Sequence, residues 1–279
     1  MVNLNGNIIS NDKADVSLNN RAFNYGDSLF ETIKIFNDKI LFWEDHYFRL
    51  MASMRILRME IPANFTPEHL ENEIITTYRT SKNSGSCRIK LTVFRKDGGL
   101  YLPKTNDVSY LITFSNLEND YYQLNQDSYL VELFKDYFVS PGLLSTLKTN
   151  NRIVNVVGSI FAEENDFQNC LILNTNKHVI EALNANIFLI VGNHIKTPPL
   201  TDGCINGIIR KQLINIIGHL PEFTLEEGSI SPFELQKADE LFLTNIVFGI
   251  QPITQYRKKK FNKVVTQNLL AKLNMKLRN

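Results

Sequence analysis

Residues 181–210 read "EALNANIFLIVGNHIKTPPLTDGCINGIIR". Glu181 opens a short turn of small residues that leads into the strand "NIFLIV". Thr197-Pro198-Pro199 breaks the pattern, and "GCINGIIR" then runs into a helix. A glycine-containing loop entering a helix presents unpaired backbone N–H groups and the positive end of the helix dipole, which suits a phosphate. Many loops enter helices this way, so the segment needs chemical company before it means anything.

Such company stands upstream in "LSTLKTNNRIVN", residues 144–155, where Lys148 sits among small hydroxyl and amide side chains just ahead of an apolar run. A solvated lysine gains little there. From these twelve residues alone a surface lysine at a helix entry is the ordinary reading, and a reactive amine is the other.

The rest of the chain narrows the choice by exclusion. It has 279 residues, 43% hydrophobic and 21% charged, with a net charge of +1, the profile of a soluble globular protein with no strong pull toward nucleic acid or an anionic membrane. Only "RKKK" at 257–260 clusters basic charge, and without interleaved aromatics it reads as a solvated loop. Three widely spaced cysteines suit reduced thiols in a cytoplasm, and the N-terminus has neither the charge nor the apolar run of a secretory signal. "NFT" at 64–66 matches a glycosylation acceptor that a cytoplasmic chain never presents to that machinery. There is no Gly-x-Gly-x-x-Gly, no phosphate-loop Gly-Lys-Ser/Thr, no His-Glu-x-x-His, no Cys-x-x-Cys and no Gly-x-Ser-x-Gly. Nucleotide, zinc and acyl-serine chemistry therefore lack their usual residues, and His46 reads as a half-exposed helix histidine.

Periodicity gives a coarse layout. "VNLNGNIIS" predicts a hairpin around Asn-Gly, and "SLFETIKIFNDKILFW" a second around Asn-Asp. From Glu44 the spacing turns helical, with Tyr47, Leu50, Met51, Met54 and Leu57 on one face. A helix opens at Thr66-Pro67, and two strands flank "KDGG". Polar residues 116–128 form the expected linker between a small N-terminal domain, 1–115, and a large C-terminal one, 129–279. Beyond it come a strand, a helix over about 150–164, further strands, a helix near Ile205, a capping box at "SPFE" (231–234), the strand "ELFLT" and a final helix over 263–277. Without a steady strand–helix alternation, this is an α+β chain of two lobes.

Taken in order, these motifs resemble the class IV aminotransferases, the pyridoxal-phosphate (PLP) enzymes of fold type IV. The family pattern is met by Glu181, Asn186-Ile187-Phe188, Ile195-x-Thr197 and Ile205-x-Gly207-Ile208-x-Arg210. Upstream, "RAFNYGDSLFETIKIF" and "EDHYFRL" look like its N-terminal block, and "LQKADELFLTNIVFGIQPI" like its C-terminal one. Leu183 departs from the pattern: the family usually has a small residue there, so the turn beside the cofactor should tighten. The resemblance implies a two-domain fold with PLP between the domains, a homodimer, and Tyr25 reaching toward a partner's site.

It also implies roles. Lys148 would be the Schiff-base lysine and later the base for the substrate's Cα proton, jobs that need a neutral amine where a free lysine, pKa about 10.4, is protonated. Glu181 would keep the pyridine nitrogen protonated. An ion pair at about 4 Å with an effective dielectric of about 20 supplies roughly 4 kcal/mol, or about three pKa units. Arg49 would meet the phosphate as a guanidinium fork, helped by the N–H groups of Ile208 and Ile209, with Asn186 and Arg152 completing the cofactor contacts.

The family includes branched-chain and D-amino acid aminotransferases and aminodeoxychorismate lyase. Arg152 replaces a tyrosine found in many transaminases, Thr32 stands where branched-chain enzymes commonly have glycine, and Lys90 resembles the lyase's carboxylate-binding residue. These three favour the lyase. Leu100, at a position where known lyases have an arginine, favours an aminotransferase. A non-catalytic PLP-binding homologue is the reading from another class, but such a scaffold would not need Lys148, Glu181 and Arg49 together.

Overall fold

Two asparagine-led turns start the chain. Asn5 and Gly6 (φ 53° and 86°) close the hairpin of β1 (Val2–Leu4) and β2 (Asn7–Ile9). Asn37 and Asp38 (φ 48° and 58°) fold β3 (Ser28–Phe36) onto β4 (Lys39–Ile40). A two-residue hairpin turn needs positive φ at both central positions, which asparagine, aspartate and glycine tolerate best. With β5 (Cys87–Arg95) and β6 (Val108–Asn116), these strands form an antiparallel six-stranded sheet in the order β2-β1-β6-β5-β3-β4. The computed structural model from which this is taken describes residues 1–81 and 85–277.

Alternation along β5 sets the faces of that sheet. Cys87, Ile89, Leu91 and Val93 are buried, while Lys90, Thr92 and Phe94 are half-buried on the other side. The short α1 (Arg21–Tyr25) precedes β3, and α2 (Trp43–Ile56) and α3 (Pro67–Thr80) lie between β4 and β5 in the chain. The Thr66 side chain accepts from the His69 N–H at the start of α3, with Pro67 at the first helical position. The face that α2 buries carries Trp43, His46, Leu50, Met51, Ser53 and Met54. It is rotated from the expected stripe: His46 is fully buried, whereas Tyr47 and Leu57 are only half-buried.

Further strands make two five-stranded sheets. One runs β16-β15-β7-β8-β9, from β7 (Leu130–Val139), β8 (Asn169–Asn174), β9 (Val179–Ala182), β15 (Gln255–Tyr256) and β16 (Lys259–Lys260). The other runs β12-β11-β10-β13-β14, from β10 (Asn186–Val191), β11 (His194–Thr197), β12 (Thr224–Glu227), β13 (Glu240–Asn245) and β14 (Gly249–Ile253). Val131, Leu133, Leu171 and Leu173 of the first sheet meet Ile187, Leu189, Leu241 and Leu243 of the second in one core. On the outer side of the first sheet, α4 (Ile153–Glu164) packs through Ala162 against Phe134, Cys170, Ile172 and Ile180. Both α5 (Ile208–Gly218) and α7 (Val264–Lys276) pack on the second sheet. The short α6 (Pro232–Lys237) carries the expected capping box of Ser231 and Glu234. "RKKK" departs from the expected loop: Arg257, at φ 53°, turns a tight β15–β16 hairpin, which leaves Arg257, Lys258 and Lys260 in solvent.

The chain divides into two compact units, Met1–Asp120 with Lys148–Asn151, and Tyr121–Leu147 with Arg152–Asn279. The change at 120/121 falls inside the polar stretch 116–128. The four residues 148–151 differ from the expected division, because they belong with the first unit although they lie within 129–279 in sequence.

At the start of α7, Lys263 provides no side-chain cap. The buried carboxylate of Glu240, on β13, accepts instead from the N–H groups of Val265 and Thr266 (both 2.9 Å) and from the Thr266 hydroxyl (2.7 Å). Replacing Glu240→Ala strands these donors and should cost about 2 kcal/mol. Chemical denaturation should read this as a lower midpoint with an unchanged slope; an unmoved midpoint would show that the cap is dispensable.

Candidate active site

In the first unit, the setting of Lys148 begins at a strand edge that β4 leaves uncovered. The other edge of β3 bonds β5 along its length, but β4 reaches only Ile35 and Phe36, so residues 28–30 would have bare edge groups. Residues 148–151 fill that edge. The Phe30 N–H donates to the Lys148 carbonyl (2.9 Å), the Asn150 N–H donates to the Ser28 carbonyl (3.2 Å), and Leu29 bridges Thr149. The Asn151 amide donates to the Gly26 carbonyl (3.2 Å). Gly26 ends α1 in the left-handed region (φ 64°), and a Cβ there would lie 2.4 Å from the Asn151 side-chain oxygen. This pairing is why Lys148 folds with the first unit.

Phe30 is the hub of the side chains. The Lys148 Nζ lies 4.3 Å from its ring centroid and the Lys90 Nζ 4.9 Å. Thr32, directly opposite Lys90 across β3 and β5, is buried on the same strand face. Burial, and then the nearby Arg88 charge, hold the Lys90 amine below the usual lysine range. Further along β3, the Lys34 amine donates to the Asn119 carbonyl (3.3 Å), and burial brings its pKa down to about 8. Two of the expected residues, Lys90 and Lys148, are thus gathered beside one aromatic ring, with Thr32 opposite Lys90 in the strand register. Tyr25 is not among them: it ends α1, with its ring 5.8 Å from that of Tyr101.

Arg49, on α2, is engaged from β3. Glu31 accepts from its Nε (2.7 Å) and its Nη2 (2.5 Å), and also contacts the His46 Nδ1 (2.7 Å). Burial pushes the Glu31 carboxyl up, but the Arg49 charge and the hydrogen bonds from His46 and Arg49 outweigh it and hold the pKa at about 2. His46 goes the other way: burial outweighs its pairing with Glu31 and lowers its pKa, so the ring is neutral. The expectation of a half-exposed His46 fails because its partner lies on a strand, beyond the reach of helical spacing. One signal was available, since residues 46 and 49 are a helical turn apart and share a face.

In the second unit, a buried carboxylate and an amide grip one loop residue from both sides. Glu181 accepts from the Ile205 N–H (2.9 Å), and the Asn186 side chain donates to the Ile205 carbonyl (2.8 Å). Two residues on, Gly207 is the N-cap of α5 with no side-chain cap, and Ile208 and Ile209 form the first turn. A Cβ on Gly207 would lie 2.0 Å from the Asn186 side-chain oxygen, so only glycine allows this approach. Arg152 is the N-cap of α4 and donates to the carbonyl of Leu147, the residue before the lysine (2.5 Å).

Leu183 does not narrow the turn as expected. It is buried in the cluster under α4, where a Cβ on Gly158 would lie 2.4 Å from a Leu183 methyl carbon. Its bulk is absorbed by a notch in the helix. Among the described residues no cluster of His, Cys, Asp or Glu could hold a metal ion, and no helix is long and apolar enough to cross a membrane.

A two-unit α+β arrangement with these motifs is that of the fold type IV PLP enzymes. The family described as "Amino-transferase class IV" matches residues 28–256, and the chain belongs to it. Aminodeoxychorismate lyase of Vibrio harveyi is 26% identical over 241 residues, covering 86% of each chain. D-alanine aminotransferase of Listeria monocytogenes is 24% identical over 260 residues, covering 90% of this chain and 86% of its own length. Among solved structures, the branched-chain aminotransferase of Thermoproteus uzoniensis with norvaline matches with a TM-score of 0.87 at 23% identity, over 97% of this chain and 92% of the other. The protein is therefore an enzyme of a PLP-dependent family whose members include aminotransferases and a lyase.

The Leu183–Gly158 fit has a signed test. Gly158→Ala alone should destabilise by about 1–3 kcal/mol through overlap, although alanine favours helix by about 1 kcal/mol. In a Leu183→Ala background the same change should become stabilising. Equal effects in the two backgrounds, measured by denaturation, would show that the two side chains do not compete for space.

Proposed function

We propose that this enzyme is a 4-amino-4-deoxychorismate lyase, eliminating pyruvate to give 4-aminobenzoate. The observation that carries the reading is the pair of amines, Lys148 and Lys90, beside Phe30. One serves as the reactive amine. The other is a fixed cation for a carboxylate of an anionic substrate, with Thr32 limiting the space next to it. The likeness to the Vibrio harveyi lyase lends support.

PLP fits the residues present: a lysine amine on a strand edge, a buried carboxylate, an arginine, and a helix start whose N-cap is a glycine with no room for a Cβ. Lys148 would carry it, Glu181 would face its ring nitrogen, and Arg49 with the N–H groups of Ile208 and Ile209 would receive its phosphate. Asn186 would act by holding Ile205, and Arg152 by holding the carbonyl that precedes the lysine. Once bound, the ring supplies a sink for the electrons of the broken Cα–H bond. Lys148 Nζ would take the Cα proton, and the Glu181 carboxylate would keep a proton on the ring nitrogen. Cleavage of the ring C–O bond would release enolpyruvate, to which Lys148 would return the proton to give pyruvate, leaving the aromatic ring of 4-aminobenzoate. A homodimer is part of the proposal, supported by the exposed apolar side chains Phe23, Leu100, Tyr101 and Leu102. Tyr25, beside Tyr101, would approach the partner's site. The three buried, unpaired cysteines are in keeping with a cytoplasmic enzyme.

The second reading is an aminotransferase for branched-chain or D-amino acids. Leu100 favours it, being 77% exposed and offering no charge to a second carboxylate.

Incubating PLP-loaded enzyme with aminodeoxychorismate should yield 4-aminobenzoate. If none forms, and Leu or D-Ala with 2-oxoglutarate yields glutamate, the lyase assignment fails and the aminotransferase one stands. Glu181→Gln should keep its visible-edge absorbance band yet lose turnover by at least about tenfold, because a neutral amide cannot hold the ring proton. Near-normal turnover would remove Glu181 from that role.

A further inference from the structure

The His46–Glu31–Arg49 cluster holds one residue, Arg49, to which the proposed function gives a role, and two, His46 and Glu31, to which it gives none. Its members come from two elements, with Glu31 on β3 and the others one turn apart on α2. Glu31 and His46 are 2% and 0% exposed, which is unusual for a carboxylate and an imidazole unless their geometry matters. The contacts fix both protonation states. Since the Glu31 Oε2 accepts, the His46 Nδ1 donates, and the Nε2 is left as a bare lone pair with no hydrogen-bond partner. A neutral ring in this tautomer leaves one buried acceptor unsatisfied, whereas a protonated ring would leave a buried N–H donor unsatisfied, at higher cost.

Glu31 in turn engages the guanidinium through Nε and Nη2, the edge that sets the orientation of the whole fork. We propose that Glu31 and His46 are positioning residues for Arg49, holding its guanidinium in one orientation so that it receives a phosphate ester. This rests on the reading that Arg49 meets the cofactor's phosphate. The roles within the cluster are distinct. Arg49 is the ligand-binding group, Glu31 orients it, and His46 restrains Glu31, with neither of the last two touching the ligand.

The sign of one substitution separates orientation from charge. A carboxylate against the guanidinium weakens its attraction for an anion, so if charge alone governed phosphate binding, Glu31→Gln would tighten it. If Glu31 acts by orienting Arg49, the same change loosens it, because an amide accepts from only one of the two N–H groups and the fork gains freedom.

The experiment compares PLP with pyridoxal, which lacks the phosphate, by absorbance titration of the full-length enzyme after its folding is checked by circular dichroism. Wild type should prefer PLP, and Arg49→Ala should abolish most of that preference. Glu31→Gln should lower the PLP-to-pyridoxal affinity ratio by about tenfold, equivalent to about 1.4 kcal/mol, while pyridoxal binding itself changes little. Should Glu31→Gln not fold, the His46 pair decides. His46→Asn keeps a donor where Nδ1 stands and should preserve the ratio, whereas His46→Leu removes it and should lower the ratio. A ratio unchanged or raised in Glu31→Gln, or equal in His46→Asn and His46→Leu, overturns the positioning role while leaving the PLP reading intact. Wild type that takes up no PLP, or a preference untouched by Arg49→Ala, overturns the phosphate role of Arg49 and this inference with it.

Discussion

The hydrogen bond from the Phe30 N–H to the Lys148 carbonyl is the constraint that fixes the Lys148 backbone to the first unit's sheet. A lysine side chain has four rotatable carbons and loses nearly 2 kcal/mol of rotamer entropy when fixed, so a reactive amine needs a backbone that does not wander. Here the backbone is held as a short strand-like addition to a sheet, with Thr149 bridged to Leu29 and Asn150 bonded to Ser28. The same edge brings the amine beside an aromatic ring already flanked by a second lysine. Rigidity and electrostatic setting thus come from one structural fact, the short reach of β4.

The second unit applies a similar economy to a loop. Both backbone groups of Ile205 are held, its N–H by Glu181 and its carbonyl by Asn186. Glu181 therefore has a structural function whatever its chemistry: one carboxylate oxygen, Oε2, holds the loop before α5. The Gly207 contact with Asn186 makes the same point sterically. Buried polar groups of this kind are costly when unmatched and specific when matched, so they define a single loop conformation.

Local signals were legible in the sequence because they act within a few residues. Asn5-Gly6 and Asn37-Asp38 specify their turns through backbone preference, Thr66-Pro67 starts a helix, and Ser231 with Glu234 closes a capping box. Features made by distant partners were not legible. His46 is buried because of Glu31 on a strand, Glu240 caps a helix that begins more than twenty residues later, and "RKKK" becomes a hairpin through a turn at Arg257 whose first strand pairs in parallel with β7. Lys148 lies between these cases. Its importance came from an ordered set of motifs resembling a family, while its membership of the first unit depended on an edge that no periodicity reports. Leu183 departs from the family pattern in sequence, whereas its accommodation depends on Gly158, distant in sequence, lying across from it.

That accommodation bears on how such a pair can arise. Starting from alanine at 158 and a small residue at 183, losing the helix methyl first costs only helix propensity, about 1 kcal/mol, and opens a pit. Enlarging residue 183 first would instead force two side chains into the same volume, at a cost of up to about 3 kcal/mol against a marginal total stability. The two routes end at the same sequence but pass over ridges of different height. A notch in one helix therefore acts as a permissive change, and its order of arrival decides whether the larger neighbour can be tolerated at all.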